Sequence, residues 1–273
     1  MRFRDPCYIQ AMPDDAIPPM DAATWTRLLR REPADLDPCP LYDPLIAPPR
    51  AADGCFVLGR IAQSLDGRIA AHDGESRWIS GHADIVHTHR LRALFDAVLV
   101  GAGTVQADDP RLTTRHVIGR SPIRVVIDAR RRLSDRYAVF RSDPPTLLMC
   151  GEDAEGPDRH GAAEVVRLPY VARRDGTPGN LDFAAMLAAL RARGLRRIFV
   201  EGGGITVSHF MAASALDRLH VTVAPLLLGS GVPAFTLPPT CLADGLRFSW
   251  NLHHLGDDVL MDIPLARSCV AAA

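Results

Sequence analysis

The residues with the clearest chemical potential form an acidic, glycine-rich turn after a short apolar run. Glu201 is followed by three consecutive glycines and is preceded by Ile198-Phe199-Val200. Glycines allow a sharp turn and let a ligand approach the backbone closely. Residues 205–215 then have the pattern of a helix, whose first N–H groups find no partner within the helix. Such a terminus is a ready phosphate site, although a glycine run is often only a tight turn.

Three further segments carry polar groups next to apolar runs, where the ligand sites of open α/β sheets usually lie. Residues 63–70 read QSLDGRIA, whose Asp-Gly pair also forms common turns. Residues 74–81 offer a hydroxyl and the Trp78 ring to a ligand, and the alternative is that Ser80 caps the helix and Trp78 fills the core. Residues 100–115 begin as G-x-G but have Gln106 where a dinucleotide fingerprint requires its third glycine. This argues against an ordinary dinucleotide-binding motif.

The elements that must position these segments are strands and helices that alternate from Phe56 onward. Apolar runs without polar alternation indicate central strands that are covered on both faces. The predicted strands span residues 56–62, 97–101, 123–128, 146–150, 164–168, 198–201, 219–224 and 259–263, and the predicted helices span residues 81–94, 182–193 and 206–215. The sequence therefore predicts an α/β fold with a mostly parallel central sheet flanked by helices. His87 and His89 are expected at the surface of a helix, and His253 and His254 in a loop.

The first 54 residues differ from the rest and read as a proline-rich N-terminal extension, because recurrent prolines break any long element. One short helix is predicted over residues 21–31, with Asp21 as N-cap and with Trp25, Leu28 and Leu29 on one face. We expect the extension to pack through these apolar residues, and partial disorder is the alternative. Residues 55–266 then form the main domain, and residues 267–273 a C-terminal tail.

Bulk properties exclude several classes of protein. The formal net charge of -1 gives no reason to expect a nucleic-acid partner. The chain has no apolar run long enough to span a membrane and no signal-peptide core, so we expect a cytoplasmic protein without a membrane partner. The six cysteines are scattered without a C-x-x-C pair, which argues against a zinc ribbon or a redox motif.

Taken together, the polar segments resemble one family, the reductase domain of the bacterial riboflavin-biosynthesis deaminase/reductase. The likeness runs from about residue 56 to residue 263. It is carried by SLDGRIA (64–70), SRWISG (76–81), RLR (90–92), DAVLVGAGTVQADDPRLT (96–113) and VEGGG (200–204). The resemblance implies a dihydrofolate-reductase-like fold, NADPH as cofactor and reduction of a phosphoribosylamino-pyrimidine at C1′ of its ribosyl group.

The resemblance also implies two sub-sites. NADPH would contact Ala62, Trp78, Thr104 and Asp108, with its diphosphate on Gly203, Gly204, Ile205, Thr206, Val207, Ser208 and His209, and with Arg130 near its 2′-phosphate. The substrate would contact Ser76, Arg92, Leu112, Arg115 and Glu201. Both arginines carry planar forks that suit a phosphate. Glu201 and Asp108 are the carboxylates expected to manage ring opening or protonation, and the sequence leaves open which of them does so. The family often has serine where Ala129 stands, so one donor to the 2′-phosphate is missing.

Two features of the chain bear on partners and on alternative functions. The zinc-deaminase signature is incomplete at Cys39, so we expect a stand-alone reductase without a metal site. By resemblance we expect a small phosphorylated substrate and a homodimer, formed through the apolar run at residues 221–228. The alternatives are a reductase of the same fold that acts on a pterin, a folate or another heterocycle, and a nucleotide-binding protein without catalysis.

Overall fold

A ten-stranded sheet organises the computed structural model, which describes residues 20–34, 38–141, 143–172, 178–265 and 267. The strands are β1 (Phe56–Ser64), β2 (Arg68–Ala70), β3 (Ala97–Gly101), β4 (Ile123–Ile127), β5 (Thr146–Gly151), β6 (Arg159–His160), β7 (Ala163–Leu168), β8 (Tyr170–Ala172), β9 (Pro178–Leu181), β10 (Arg197–Glu201), β11 (Arg218–Ala224), β12 (Val232–Pro233), β13 (Asn251–Leu255) and β14 (Asp258–Pro264). The helices are α1 (Ala22–Arg30), α2 (Asp43–Ile46), α3 (His82–Leu94), α4 (Ala102–Asp108), α5 (Phe183–Ala192) and α6 (Gly204–Ala212).

The strand order of the main sheet is β13-β14-β11-β1-β10-β3-β4-β5-β7-β6. The strands from β11 to β7 are parallel, whereas β14, β13 and β6 pair antiparallel at the two sides. Two small ribbons, β12 with β2 and β8 with β9, lie outside it. Because parallel strands share one direction, the carboxyl ends of β1, β10, β3 and β4 meet at one edge. The predicted mostly parallel α/β architecture is confirmed.

The central strands are buried on both faces, as their unbroken apolar runs predict. In β3 every residue is buried; Val98 and Val100 belong to one core, and Ala97 and Leu99 belong to the other. Leucines of α1 and α3 pack in the first core, and apolar residues of α5 and α6 pack in the second. Each fully buried Val or Leu side chain contributes roughly 1.5 to 3 kcal/mol relative to an exposed one. Helices therefore cover both faces of the sheet.

Helix α3 is attached to the sheet by buried polar contacts as well as by leucines. Asp84 forms an ion pair with Arg60 of β1, and its other carboxylate oxygen accepts a hydrogen bond from the Thr222 hydroxyl of β11 at 2.7 Å. His87 and His89 are 1% and 2% exposed, so the prediction that they lie at the surface was wrong. A polar helix face normally turns to solvent, but here other polar groups in the interior provide partners.

The N-terminal extension is folded against the main domain where the structure describes it. The Asp21 carboxylate accepts a hydrogen bond from Thr24 N at 2.7 Å and caps α1, and Leu28 is fully buried, as predicted. A second short helix, α2, was not predicted, and it buries Leu45 and Ile46. The extension therefore adds apolar residues to the core.

Two expectations about the last strands are corrected by the topology. Strand β11 lies between β1 and β14, and Val221 and Ala224 are buried, so residues 221–224 cannot form a sheet-edge dimer contact. The edge on this side of the sheet is β13, which also contains His253 and His254, the residues expected in a loop. The dimer surface was assigned wrongly because an apolar run looks the same in an edge strand and in a central strand. Among the described residues, no helix is long and apolar enough to cross a membrane.

Asp258 generates a prediction for the pH dependence of stability. Its carboxylate accepts a hydrogen bond from Gly81 N at 2.6 Å, just before α3, and its side chain is 2% exposed. Burial, assisted by the nearby carboxylate of Asp84, raises the pKa of Asp258 to about 6. The folded state therefore binds a proton more readily than the unfolded chain, so the free energy of unfolding falls as pH rises from about 4 to 6.

We expect Asp258→Asn to remove this pH dependence, because the amide oxygen still accepts the Gly81 hydrogen bond but does not titrate. The variant should be more stable than the wild type at pH 7, by a few degrees in Tm, and the difference should shrink towards pH 4. Thermal unfolding at a series of pH values measures this. Parallel profiles for the two proteins would contradict the assignment.

Candidate active site

The turn between β10 and α6 has a backbone that only glycine adopts easily. Gly202 and Gly203 have φ angles of 63° and 69°, in the left-handed region. A Cβ atom on Gly203 would lie 2.7 Å from the Thr104 hydroxyl, and one on Gly204 would lie 2.5 Å from the backbone oxygen of Ala234. Both conformation and space therefore require glycine at position 203. At Gly202, where a Cβ would meet nothing within 4 Å, the turn leaves an open cradle for a ligand beside the first N–H groups of α6.

A second strand-to-helix turn lies beside this cradle, because β3 and β10 are paired neighbours. A Cβ atom on Gly101, at the end of β3, would overlap the Thr206 hydroxyl of α6. Thr104 of α4 faces Gly203 in the same way. The hydroxyls of Thr104 and Thr206 therefore lie where the two turns meet, next to the cradle. They add side-chain donors to the backbone N–H groups of α6.

The predicted diphosphate segment, residues 203–209, is only partly available to a ligand. Ile205 is 61% exposed and Thr206 is half-buried, whereas Val207 and Ser208 are buried. The Ser208 hydroxyl accepts a hydrogen bond from Thr236 N at 2.8 Å, which directs it into the protein. The geometry thus favours the first turn of α6 as the part that would contact a diphosphate. It does not support a contact by the side chains of Val207 and Ser208.

Glu201 and Arg92, which were expected to contact the substrate separately, bind each other. Arg92 Nε donates to Glu201 Oε2 at 2.7 Å, and Arg92 Nη2 donates to Glu201 Oε1. The third nitrogen, Nη1, donates to the backbone oxygen of Thr113 at 3.0 Å. The expectation that the Arg92 fork is free for a phosphate is therefore not met, since all three of its nitrogens are engaged. The pair joins α3, β10 and the loop after α4.

The loop that follows α4 presents the second predicted arginine. Arg115 is exposed, its Nη1 donates to the Thr113 hydroxyl at 2.8 Å, and its backbone N–H donates to His89 Nδ1 at 2.9 Å. Leu112 has a φ angle of 53°, which is uncommon for a residue with a side chain and marks local strain. Its side chain is 1% exposed, so only its backbone could reach a substrate. Of the two predicted arginines, Arg115 is the one that keeps its guanidinium near solvent.

A cleft of about 670 Å³ opens beside Asp108. Its lining is mostly charged and consists of Arg77, Asp108, Asp109, Arg111, Thr113, Arg124, Ala138, Arg141 and Asp143. Ser76 donates its hydroxyl to Asp108 Oδ1 at 3.2 Å, which brings these two predicted residues together. Asp109 accepts a hydrogen bond from Ala138 N at 2.6 Å and therefore stabilises its loop. Asp108 remains exposed to the cleft.

The remaining predicted residues lie along the same edge of the sheet. Trp78 is 79% exposed, with a φ angle of 64°, and Ala62 is half-buried near the end of β1. Arg130 is exposed in the turn after β4, whereas the neighbouring Arg131 donates to the backbone oxygens of Glu155 and Arg159. Arg130 is therefore the freer of these two cations. Among the residues that the structure describes, no cluster of three or more His, Cys, Asp or Glu side chains could hold a metal ion.

Sequence reasoning missed His89 as part of this site. Its spacing of three residues from Arg92 was the available signal, because residues i and i+3 share a face of a helix. Burial is the main cause that lowers the pKa of His89 to about 3, assisted by Arg92, His116 and Arg115. The imidazole is thus neutral near neutral pH, and its Nδ1 can accept the Arg115 N–H.

Comparison with known proteins identifies relatives. Residues 56–248 match the family model described as RibD C-terminal domain. The chain is 34% identical over 215 residues to 2,5-diamino-6-ribosylamino-4(3H)-pyrimidinone 5′-phosphate reductase of Methanothermobacter thermautotrophicus, a match that covers 76% of this chain and 96% of that protein. It is 32% identical over 213 residues to riboflavin biosynthesis protein RibD of Mycobacterium tuberculosis, where the match covers 76% of this chain and 53% of the relative.

A solved structure with a similar fold is the diaminohydroxyphosphoribosylaminopyrimidine deaminase/5-amino-6-(5-phosphoribosylamino)uracil reductase of Thermotoga maritima. The TM-score is 0.66 and the sequence identity 28%, over 78% of this chain and 57% of that chain. The chain therefore spans nearly all of the Methanothermobacter relative but little more than half of the RibD proteins.

Gly203 and Gly103 form a matched pair that tests the cradle. We expect Gly203→Ala to lower the free energy of unfolding by about 1 to 3 kcal/mol, because alanine disfavours the left-handed backbone and its Cβ meets Thr104. Gly103 lies in α4, where a Cβ would have open space, so Gly103→Ala should stabilise the protein by up to about 1 kcal/mol. Urea denaturation compares the variants, and equal effects would show that the turn does not require glycine.

Proposed function

The chain belongs to the RibD C-terminal domain family, and from that premise we propose that it is an NADPH-dependent reductase of a phosphoribosylamino-pyrimidine. The observation that carries the proposal is the Arg92–Glu201 ion pair, which lies directly beside the glycine cradle and the Arg115 loop. The ion pair fixes the Glu201 carboxylate between a turn that suits an anion and a loop that carries a cation. A substrate bound at this carboxylate would lie next to a cofactor held in the turn. Relatives in this family are named as reductases of riboflavin biosynthesis.

The cofactor proposal is supported by the fit of the cradle to a diphosphate. Gly202, where a Cβ would meet nothing within 4 Å, leaves open space, and the first-turn N–H groups of α6 and the Thr104 hydroxyl offer donors beside it. The exposed Arg130 provides a cation for a 2′-phosphate, and the exposed ring of Trp78 provides a surface on which a cofactor ring could stack. These residues would hold NADPH, which supplies the hydride when it is bound.

The substrate proposal assigns separate tasks to the charged residues. Arg115 would bind the 5′-phosphate through its exposed guanidinium, and the Ser76 hydroxyl would turn from Asp108 to donate a hydrogen bond nearby. Glu201, held by Arg92, would face the ribosyl group and hold one of its hydroxyls in place. Asp108, exposed to the cleft and near Ser76, is the carboxylate free to move a proton.

The proposed chemistry then requires little of the protein beyond binding and proton transfer. The furanose ring opens when the bond between C1′ and the ring oxygen breaks, the ring oxygen takes up a proton and the nitrogen on C1′ gives one up, so that C1′ becomes an imine carbon conjugated to the pyrimidine. That carbon accepts a hydride and the imine nitrogen takes up a proton, which leaves a ribityl chain. Asp108 would deliver or relay the proton at the ring oxygen, while Glu201 keeps C1′ aligned.

The identity of the pyrimidine has two candidates within the same reaction. The sequence motifs suggest 5-amino-6-(5-phosphoribosylamino)uracil, the deaminated compound. The match over 96% of a 2,5-diamino-6-ribosylamino-4(3H)-pyrimidinone 5′-phosphate reductase favours the compound that keeps the second amino group. Both carry the same ribosyl phosphate, so the residues assigned above apply to either.

We further propose a homodimer that works in the cytoplasm. Strand β13 is a sheet edge, and Leu252 on it is 57% exposed, as is Leu246 just before it at 64%. Exposed leucines on and near an edge strand form a surface that proteins usually cover. Sizing combined with light scattering tests the dimer directly.

The decisive experiment follows NADPH oxidation with each of the two pyrimidine phosphates in turn. We expect turnover with at least one, and a loss of about 100-fold or more in kcat for Asp108→Asn, because a general acid–base group contributes on that scale. Turnover only with pterins or other heterocycles would replace the substrate assignment. Nucleotide binding without any reduction would instead indicate a non-catalytic binding protein.

Arg130 generates a separate prediction on cofactor preference. We expect Arg130→Ala to raise the KM for NADPH about tenfold and to leave the KM for NADH unchanged, because only NADPH carries the 2′-phosphate. Arg196→Ala is the matched control, since Arg196 is an exposed arginine just before β10, at the opposite edge of the sheet. An equal effect on both cofactors would place the 2′-phosphate elsewhere.

A further inference from the structure

The loop that carries Arg115 is held from two sides, by α3 and by the N-terminal extension. From α3, Arg92 donates to the backbone oxygen of Thr113, and His89 accepts the Arg115 N–H. From the extension, Trp25 Nε1 donates to the backbone oxygen of Ile118 at 2.8 Å. The Ile118 side chain is 82% exposed, so this stretch of the loop gains little from burying apolar surface. A directional hydrogen bond therefore matters more there than it would in a well-packed segment.

The loop also passes very close to the helices at Gly119. Its φ angle is 154°, and a Cβ atom there would lie 2.6 Å from the Cβ of Ala93 in α3 and 3.4 Å from a methyl group of Leu29 in α1. The backbone of the loop thus lies directly against α1 and α3. Trp25 and Leu29 are one turn apart in α1, so one face of that helix supplies both contacts.

The indole of Trp25 is itself held in place. The Arg90 guanidinium lies 6.0 Å from the centre of its ring, within the range of a cation–π interaction. Helix α1 is fixed in turn by fully buried Leu28 and by an ion pair between Arg27 and Asp43 at 2.7 Å. The donor that holds Ile118 therefore belongs to a rigid element and can restrict the position of the loop.

We propose that Trp25 is a positioning residue for substrate binding, which acts through Ile118 to fix the loop that presents Arg115. The inference rests on the proposed function of Arg115 as the phosphate contact. The extension precedes residues 56–248, the part that matches the family model, so this support comes from outside the shared domain.

The test is Trp25→Phe, which keeps a half-buried aromatic ring packed against the core and removes the N–H donor. We expect the KM for the phosphorylated pyrimidine to rise about fivefold, while kcat and the KM for NADPH stay unchanged. Amide hydrogen exchange at residues 113–119 should become faster. In an Arg115→Ala background the same substitution should have no further effect on KM, since Trp25 acts through Arg115.

Thr26→Ala is the matched control in the same helix. The Thr26 hydroxyl donates to the backbone oxygen of Ala22 at 2.7 Å, so its loss removes one hydrogen bond of α1 without touching the loop. This control should leave the substrate KM and the exchange at residues 113–119 unchanged.

Three results would overturn the inference: an unchanged substrate KM in Trp25→Phe, an equal rise in the KM for NADPH, or exchange at residues 113–119 that matches the wild type. Absence of turnover by the wild type would be a failure of the proposed function instead. In that case calorimetric affinity for the phosphorylated pyrimidine and the exchange rates decide the role of Trp25 without catalysis.

Discussion

The Arg92–Glu201 ion pair is the constraint on which the arrangement of the site depends. Its two side chains are 9% and 16% exposed, and they join residues 109 positions apart in the chain. A mostly buried charge is tolerated only when it is paired. If either side chain moved away, the other would be left as a buried charge without a partner. Because Glu201 is the last residue of β10, the pair also fixes where the glycine turn begins. Through Thr113 it fixes the adjoining loop as well.

The way α3 is attached to the sheet explains how this pair can be held so firmly. Apolar contacts alone allow a helix to slide, because one leucine can replace another in a similar pocket. Asp84, paired with Arg60 and Thr222, permits one register only, since a shift would leave buried polar groups without partners. Arg92 lies eight residues further along the same helix. The buried polar contacts of Asp84, near the start of α3, therefore determine where the Arg92 guanidinium lies near the end of the helix.

Much of the fold could be predicted from sequence, and the limits of the prediction have physical causes. Unbroken apolar runs such as Ala97–Gly101 identify buried strands because both faces of the sheet are covered. Helix α4 escaped prediction because it is short and has a glycine inside it, so neither periodicity nor propensity indicates it. The motifs named Arg92 and Glu201 as site residues, but nothing local shows that they pair. The burial of His87 and His89 likewise depends on partners far away in sequence.

The hydrogen bond from Trp25 to Ile118 joins residues 93 positions apart, and this separation bears on how the protein assembles during translation. The extension is synthesised before the elements that it packs against, because the surface that α1 covers is built from α3 and the loop beyond α4. Closing so long a chain segment costs entropy until those elements have formed. We therefore expect helix α1 to pack against the domain only after α3 and the loop have folded. A segment made before its partners is then the one that covers the finished domain last.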